Sequence, residues 1–119
     1  MIHHLNKQTL QNHYDNKINK YLICGFEENK KIRKSISSIE NMFDQIVCTE
    51  TGIRKSMSTK KLRTFFKNKN KIRITKNATK AIQQTIKKAK KNEVIFIIGS
   101  HFFAPHINKL YKNCFAIHY

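Results

Sequence analysis

A glycine, a serine and a histidine close the most apolar segment of the chain, in the run Ile97-Ile98-Gly99-Ser100-His101. Glycine at the end of a buried strand lets a ligand approach the backbone closely, and Ser100 sets a hydroxyl where a following helix begins. Backbone N–H groups at a helix start suit an anionic group. Arg54 is the second residue with chemistry to offer, in the loop Glu50-Thr51-Gly52-Ile53-Arg54-Lys55-Ser56 after another apolar run. A guanidinium there can clamp a carboxylate or phosphate through two parallel hydrogen bonds. Arg54, Gly99, Ser100 and His101 are therefore the candidate lining of a ligand cleft.

Other chemistries lack their residues. The six histidines include no His-x-x-x-His pair, and the neighbours His3 and His4 diverge on a helix and face opposite ways on a strand. No dedicated metal site is expected. Cys24 and Cys48 lie inside apolar runs and Cys114 stands apart, so buried reduced thiols are expected rather than a disulfide framework, a zinc site or a nucleophile. Neither a Gly-x-x-x-x-Gly-Lys-Ser/Thr phosphate loop nor a Gly-x-Gly-x-x-Gly dinucleotide turn occurs, and with only Gly25, Gly52 and Gly99 in the chain neither can be hidden. The seven carboxylates are expected on helix faces and in turns rather than converging on Mg²⁺.

The elements that must position these residues alternate between helix and strand signals. Leu5, Leu10, Tyr14 and Ile18 suggest a helix over 5–19, and Tyr21 to Phe26 is a short apolar run suited to a strand covered on both faces. Ile32, Ile36, Ile39 and Phe43 predict an amphipathic helix over 28–43. Gln45 to Thr49 reads as a strand, and Ser58 or Thr59 can cap a helix over 59–68 bearing Leu62, Phe65 and Phe66. Lys71 to Thr75 alternates as an edge strand does. Asn77 or Thr75 can open a helix over 77–91, with Ala78, Ala81, Ile82, Ile86 and Ala89 facing inward. Residues 93–100 read as a central parallel strand and 104–112 as a last helix. The expected fold is α/β: a three-layer, Rossmann-like, mostly parallel sheet of about four to five strands with helices on both faces. Ligands bind such sheets beyond the carboxyl ends of the strands, here the loops opening at Gly25, Thr49, Thr75 and Gly99.

At 119 residues the chain has room for one domain and one core. No apolar run approaches the roughly 20 residues that cross a bilayer, and the start Met1-Ile2-His3-His4-Leu5-Asn6 has no secretory pattern, so a cytoplasmic protein is expected. The net charge of +17 is carried almost wholly by lysine, with only Arg33, Arg54, Arg63 and Arg73 as arginines. Joint enrichment in Lys, Asn and Ile reads as the composition of an AT-rich genome, with the charge expected to be spread along the chain. A positive field of this size still permits non-specific polyanion binding.

Four segments, in order, resemble the C-terminal domain of folylpolyglutamate synthase/dihydrofolate synthase, of the Mur ligase family. They are Leu22 to Lys30, a strand, glycine and polar turn; Ile46 to Thr49 with Arg54 and Ser58 to Leu62; the alanine-bearing Ala78 to Ala89; and Val94 to Phe103, an apolar strand closing in Gly-Ser and an aromatic pair. The resemblance implies an acid–amino-acid ligase that uses ATP and Mg²⁺ to activate a folate carboxylate for attack by glutamate. It also implies a separate N-terminal domain holding the ATP loop and main metal site, with Arg54 and Ser100 facing the shared cleft. The family opens this domain with Asp-Gly-Ala-His-Asn-Pro. Here that place holds Met1 to Asn6, so residues 1–19 are expected to comprise a degraded motif and a first helix, with His4 a remnant and no catalytic residue intact. The function expected is a C-terminal domain or fragment of that ligase spanning 1–119, inactive alone and binding no cofactor by itself. The alternative is a small basic nucleic-acid-binding protein.

Overall fold

The computed structural model describes residues 2–3, 19–28, 31–52, 55–91 and 93–99. The expected helix over 104–112, and that over 5–19 apart from Asn19, lie outside the described residues. Five strands are present: β1 (Ile2–His3), β2 (Lys20–Gly25), β3 (Gln45–Glu50), β4 (Ile72–Asn77) and β5 (Val94–Gly99). They form one sheet in the order β1-β5-β2-β3-β4, and every pairing is parallel. As expected, the segment richest in β-branched and aromatic residues is an interior strand: β5 lies between β1 and β2. Because parallel strands are covered on both sides, their side chains read as continuous apolar runs. Leu22, Cys24, Ile46, Cys48 and Phe96 face one layer, and Tyr21, Ile23, Val47, Ile95 and Ile97 face the other.

Among the described residues three α-helices form the outer layers: α1 (Arg33–Ile39), α2 (Thr59–Arg63) and α3 (Ala78–Lys88). Ile36 and Ile39 of α1 and Leu62 of α2 are buried on the first face, and Ala78, Ala81 and Ile82 of α3 on the second. Phe43 and Phe96 meet edge to face within the first core, at 5.6 Å between centroids. The three-layer arrangement is thus as the periodicity predicts. Among the described residues, no helix is long and apolar enough to cross a membrane.

The helices are shorter than their apolar spacing predicts, and tertiary hydrogen bonds set the limits. The helix expected from residue 28 begins at Arg33, because Glu28 N–H donates to the Lys55 carbonyl (2.9 Å) and Met57 N–H to the Phe26 carbonyl (2.7 Å). It passes into a 3-10 turn at Glu40–Met42. The helix expected over 59–68 stops at Arg63. Beyond it the buried Glu40 carboxylate takes the N–H groups of Lys67 (3.0 Å to each oxygen) and Asn68 (2.8 Å). The last described helix ends at Lys88 rather than 91. Helix starts follow side-chain chemistry: Ser58 accepts from Lys61 N–H (3.1 Å) and Asn77 from Lys80 N–H (3.0 Å).

One compositional expectation is overturned. The positive charge is not spread along the chain: residues 51–92 hold 15 Lys and Arg and no Asp or Glu, whereas residues 1–50 hold 7 basic and 6 acidic side chains. A composition total averages over position and so hides this segregation.

Candidate functional site

Two neighbouring interior strands, β2 and β5, end in residues without side chains. Gly25 of β2 and Gly99 of β5 are direct register partners. Gly99 has φ 143°, a backbone conformation that disfavours any residue with a Cβ. Two adjacent glycines at this edge leave a floor of bare backbone, with Gly25 buried and Gly99 half-buried.

The loop after β3 forms the wall beside that floor. Thr51 is fully buried and its N–H donates to Ser56 Oγ at 2.9 Å, holding Ser56 beside Thr51, and Gly52 has φ 74°. Glu27 and Ser56 form an antiparallel bridge, joining this loop to the exit of β2. On the other side Glu50 Oε2 accepts from Thr59 N–H at 3.2 Å, a carboxylate at the start of α2. Beyond it, Thr49 Oγ1 donates to the Lys76 carbonyl (3.1 Å), where the β3–β4 register shifts. The elements flanking Gly25, Thr49 and Gly99 are therefore tied to one another at the edge where a ligand cleft is expected.

Of the site residues expected from sequence, Gly99 alone is described, at the end of β5 and facing Gly25. Arg54, Ser100, His101 and His4 lie outside the described residues, although both flanks of the Arg54 loop are held by the bonds above. Sequence reasoning missed what most of the carboxylates do. Glu40, Asp44, Glu50 and Glu93 each accept backbone N–H groups, from Lys67 and Asn68, from Lys20 (2.8 Å), from Thr59 and from Lys90 (2.7 Å) respectively. They brace loops rather than converge. Among the described residues no group of three His, Cys, Asp or Glu side chains could hold a metal ion. Glu93 also accepts from the Asn19 amide (2.6 Å) and the Tyr21 hydroxyl (3.1 Å). Donation from Lys90 N–H, then from Asn19, lowers its carboxyl below the ordinary value against the opposing effect of burial. Cys24 and Cys48 are buried free thiols in register on adjacent strands. The hydrogen bond between them, followed by burial, raises the Cys24 thiol well above its usual range.

Comparison with solved structures finds this sheet and its helices in folate enzymes. E. coli FolC in complex with DHPP and ADP superposes with a TM-score of 0.74 at 13% identity, over 87% of this chain and 24% of that one. The fold matches about one quarter of that chain. Mycobacterium tuberculosis folylpolyglutamate synthase complexed with ADP and AMPPCP gives 0.71 at 18% identity, over 89% of this chain and 26% of that one. The bifunctional folylpolyglutamate synthase/dihydrofolate synthase of Yersinia pestis, complexed with AMPPNP and Mn ion, gives 0.68 at 18%, over 79% and 22%. This chain thus spans about a quarter of the length of the enzymes it matches. No family model and no curated protein matches its sequence.

Proposed function

We propose that residues 1–119 are one domain that supplies the C-terminal portion of a cytoplasmic ATP-dependent folylpolyglutamate/dihydrofolate synthase, and that the chain alone performs no ligation. The observation that carries this reading is the fold likeness over 79–89% of this chain to 22–27% of those enzymes. The four ordered sequence resemblances point the same way. The 119 residues contain no phosphate loop, so ATP would have to be bound chiefly by a separate N-terminal portion. In the assembled enzyme Arg54 and Ser100 would line the cleft over the Gly25–Gly99 floor, toward nucleotide and glutamate. His4 is a weak heir to the family's histidine, lacking the aspartate beside it.

The purified chain, incubated with ATP, Mg²⁺, glutamate and dihydropteroate or tetrahydrofolate, is expected to release no ADP and to extend no folate. Robust ATP-dependent glutamate addition by the lone chain would overturn the proposal. Added to the N-terminal portion of a bacterial synthase, the chain is expected to co-elute with it in gel filtration. Failure of a folded chain to do so would refute the assignment to a ligase cleft.

A further inference from the structure

The basic segment occupies one place in the fold. Residues 51–92, with 15 Lys and Arg and no acid, include α2, the 3-10 turn Lys69–Lys71, β4 and α3. Among the described strands β4 is an outer one, bonded only to β3, and both α2 and α3 pack against it. Lys67 beyond α2, Arg73 and Lys76 on β4, and Lys80, Lys87 and Lys88 on α3 are all exposed. A cleft of about 380 Å³ opens beside the strand, where Lys71, Arg73 and Lys88 meet Asn70 and a single acid, Asp44. Lys71 Nζ is committed to the carbonyl oxygens of Glu40 (2.8 Å) and Phe43 (3.0 Å), so Arg73 and Lys88 are the cations the cleft can offer a ligand.

We infer that this β4 edge is a docking surface for the phosphate backbone of duplex nucleic acid, read without regard to sequence. Charged side chains on an outer strand also protect it from pairing with other sheets. Arg73 and Lys76 suffice for that purpose, and it does not account for the lysines on α3 or beyond α2. A one-signed field of this size repels itself and favours a polyanionic partner. Six residues of strand extend about 20 Å, a length of duplex that carries on the order of a dozen phosphates at one charge per roughly 1.7 Å. Single strands are held chiefly by bases stacked on aromatic rings. Among the described residues no aromatic side chain is exposed, and Ile74 is the one large exposed hydrophobe. The described part of this edge therefore offers phosphates its cations and offers bases no exposed ring to stack on.

Fluorescence anisotropy of a short labelled duplex of arbitrary sequence, titrated with the full chain, tests this independently of any ligase partner. Binding is expected at about 50 mM salt and should weaken about 100-fold by about 200 mM if four phosphates are contacted. Arg73→Glu/Lys88→Glu should lower affinity at least about tenfold at low salt and flatten the salt slope by about 2. Arg73→Gln/Lys88→Gln should shift both in the same direction. Lys31→Glu/Lys34→Glu makes the same change in net charge at the start of α1, outside residues 51–92, and should have only a small effect. Equal losses in the two Glu pairs would overturn the location. Absence of binding at low salt, or tighter binding to a single strand or to polyglutamate than to the duplex, would overturn the partner.

Discussion

Replacing Glu40 by alanine removes the acceptor for two backbone N–H groups that have no helix to receive them. Glu40 is 4% exposed, and its carboxylate takes Lys67 N–H and Asn68 N–H at 2.8–3.0 Å, where the chain leaves α2 and turns toward β4. Hydrogen bonds to a charged group contribute about 1.5–3 kcal/mol each, and a buried amide left unsatisfied costs about 1–3 kcal/mol. Allowing water to reach part of the site, Glu40→Ala is expected to lose about 3 kcal/mol. That is a large share of the roughly 6–18 kcal/mol that a chain of this length possesses. At about 4 °C per kcal/mol, the Tm should fall by about 12 °C. Glu40→Gln keeps one oxygen to accept and gives up the charge, so about 1–2 kcal/mol is expected. Urea unfolding followed by circular dichroism measures both losses, with an unchanged slope showing that the same surface is exposed. A loss below about 0.5 kcal/mol for the alanine variant would refute the claim that this carboxylate ends α2.

The lowered Glu93 carboxyl gives a signed pH dependence: its stabilisation is present above the unfolded value of 4.5 and is lost as pH falls through the lower folded value. Glu93→Gln should therefore reduce stability at neutral pH by about 1–2 kcal/mol and flatten the acid limb of a urea-midpoint profile; a parallel limb would contradict this. Cys24 and Cys48 should resist iodoacetamide in the native chain and label rapidly in urea, as read by peptide mass spectrometry; fast native labelling of either would refute their burial. Gly99→Ala should cost about 1–3 kcal/mol because of its positive φ, and thermal unfolding within 1 °C of the wild type, a shift of only about 0.25 kcal/mol, would show that the strand end relaxes without strain.

Much of the fold was legible because parallel strands advertise themselves. Tyr21 to Cys24 and Val94 to Ile97 are uninterrupted apolar runs, and both are interior strands. Ile36, Ile39 and Leu62 marked inward faces, and Ser58 and Asn77 marked helix starts, since caps and periodicity are local properties. What was not legible depends on residues distant in sequence. Ile2–His3 is too short to show a period, so β1 is visible only through its pairing with Ile95 and Phe96. The early ends of α1 and α2 depend on Glu28 meeting Lys55 and on Glu40 meeting Lys67. The side-chain-free floor depends on strand order, because Gly25 and Gly99 are neighbours only once β5 lies beside β2.

The position of β5 also bears on how the chain is made. β1 and β2 emerge first during synthesis, yet they do not pair with each other: the strand that joins them is the last of the five. Until Val94 to Gly99 is available, Tyr21, Leu22 and Ile23 present an apolar strand with one edge unsatisfied. Such delayed, long-range closure slows folding and exposes nascent chains to association. A chaperone that shields this edge during translation should raise the yield of native protein more than one supplied after release.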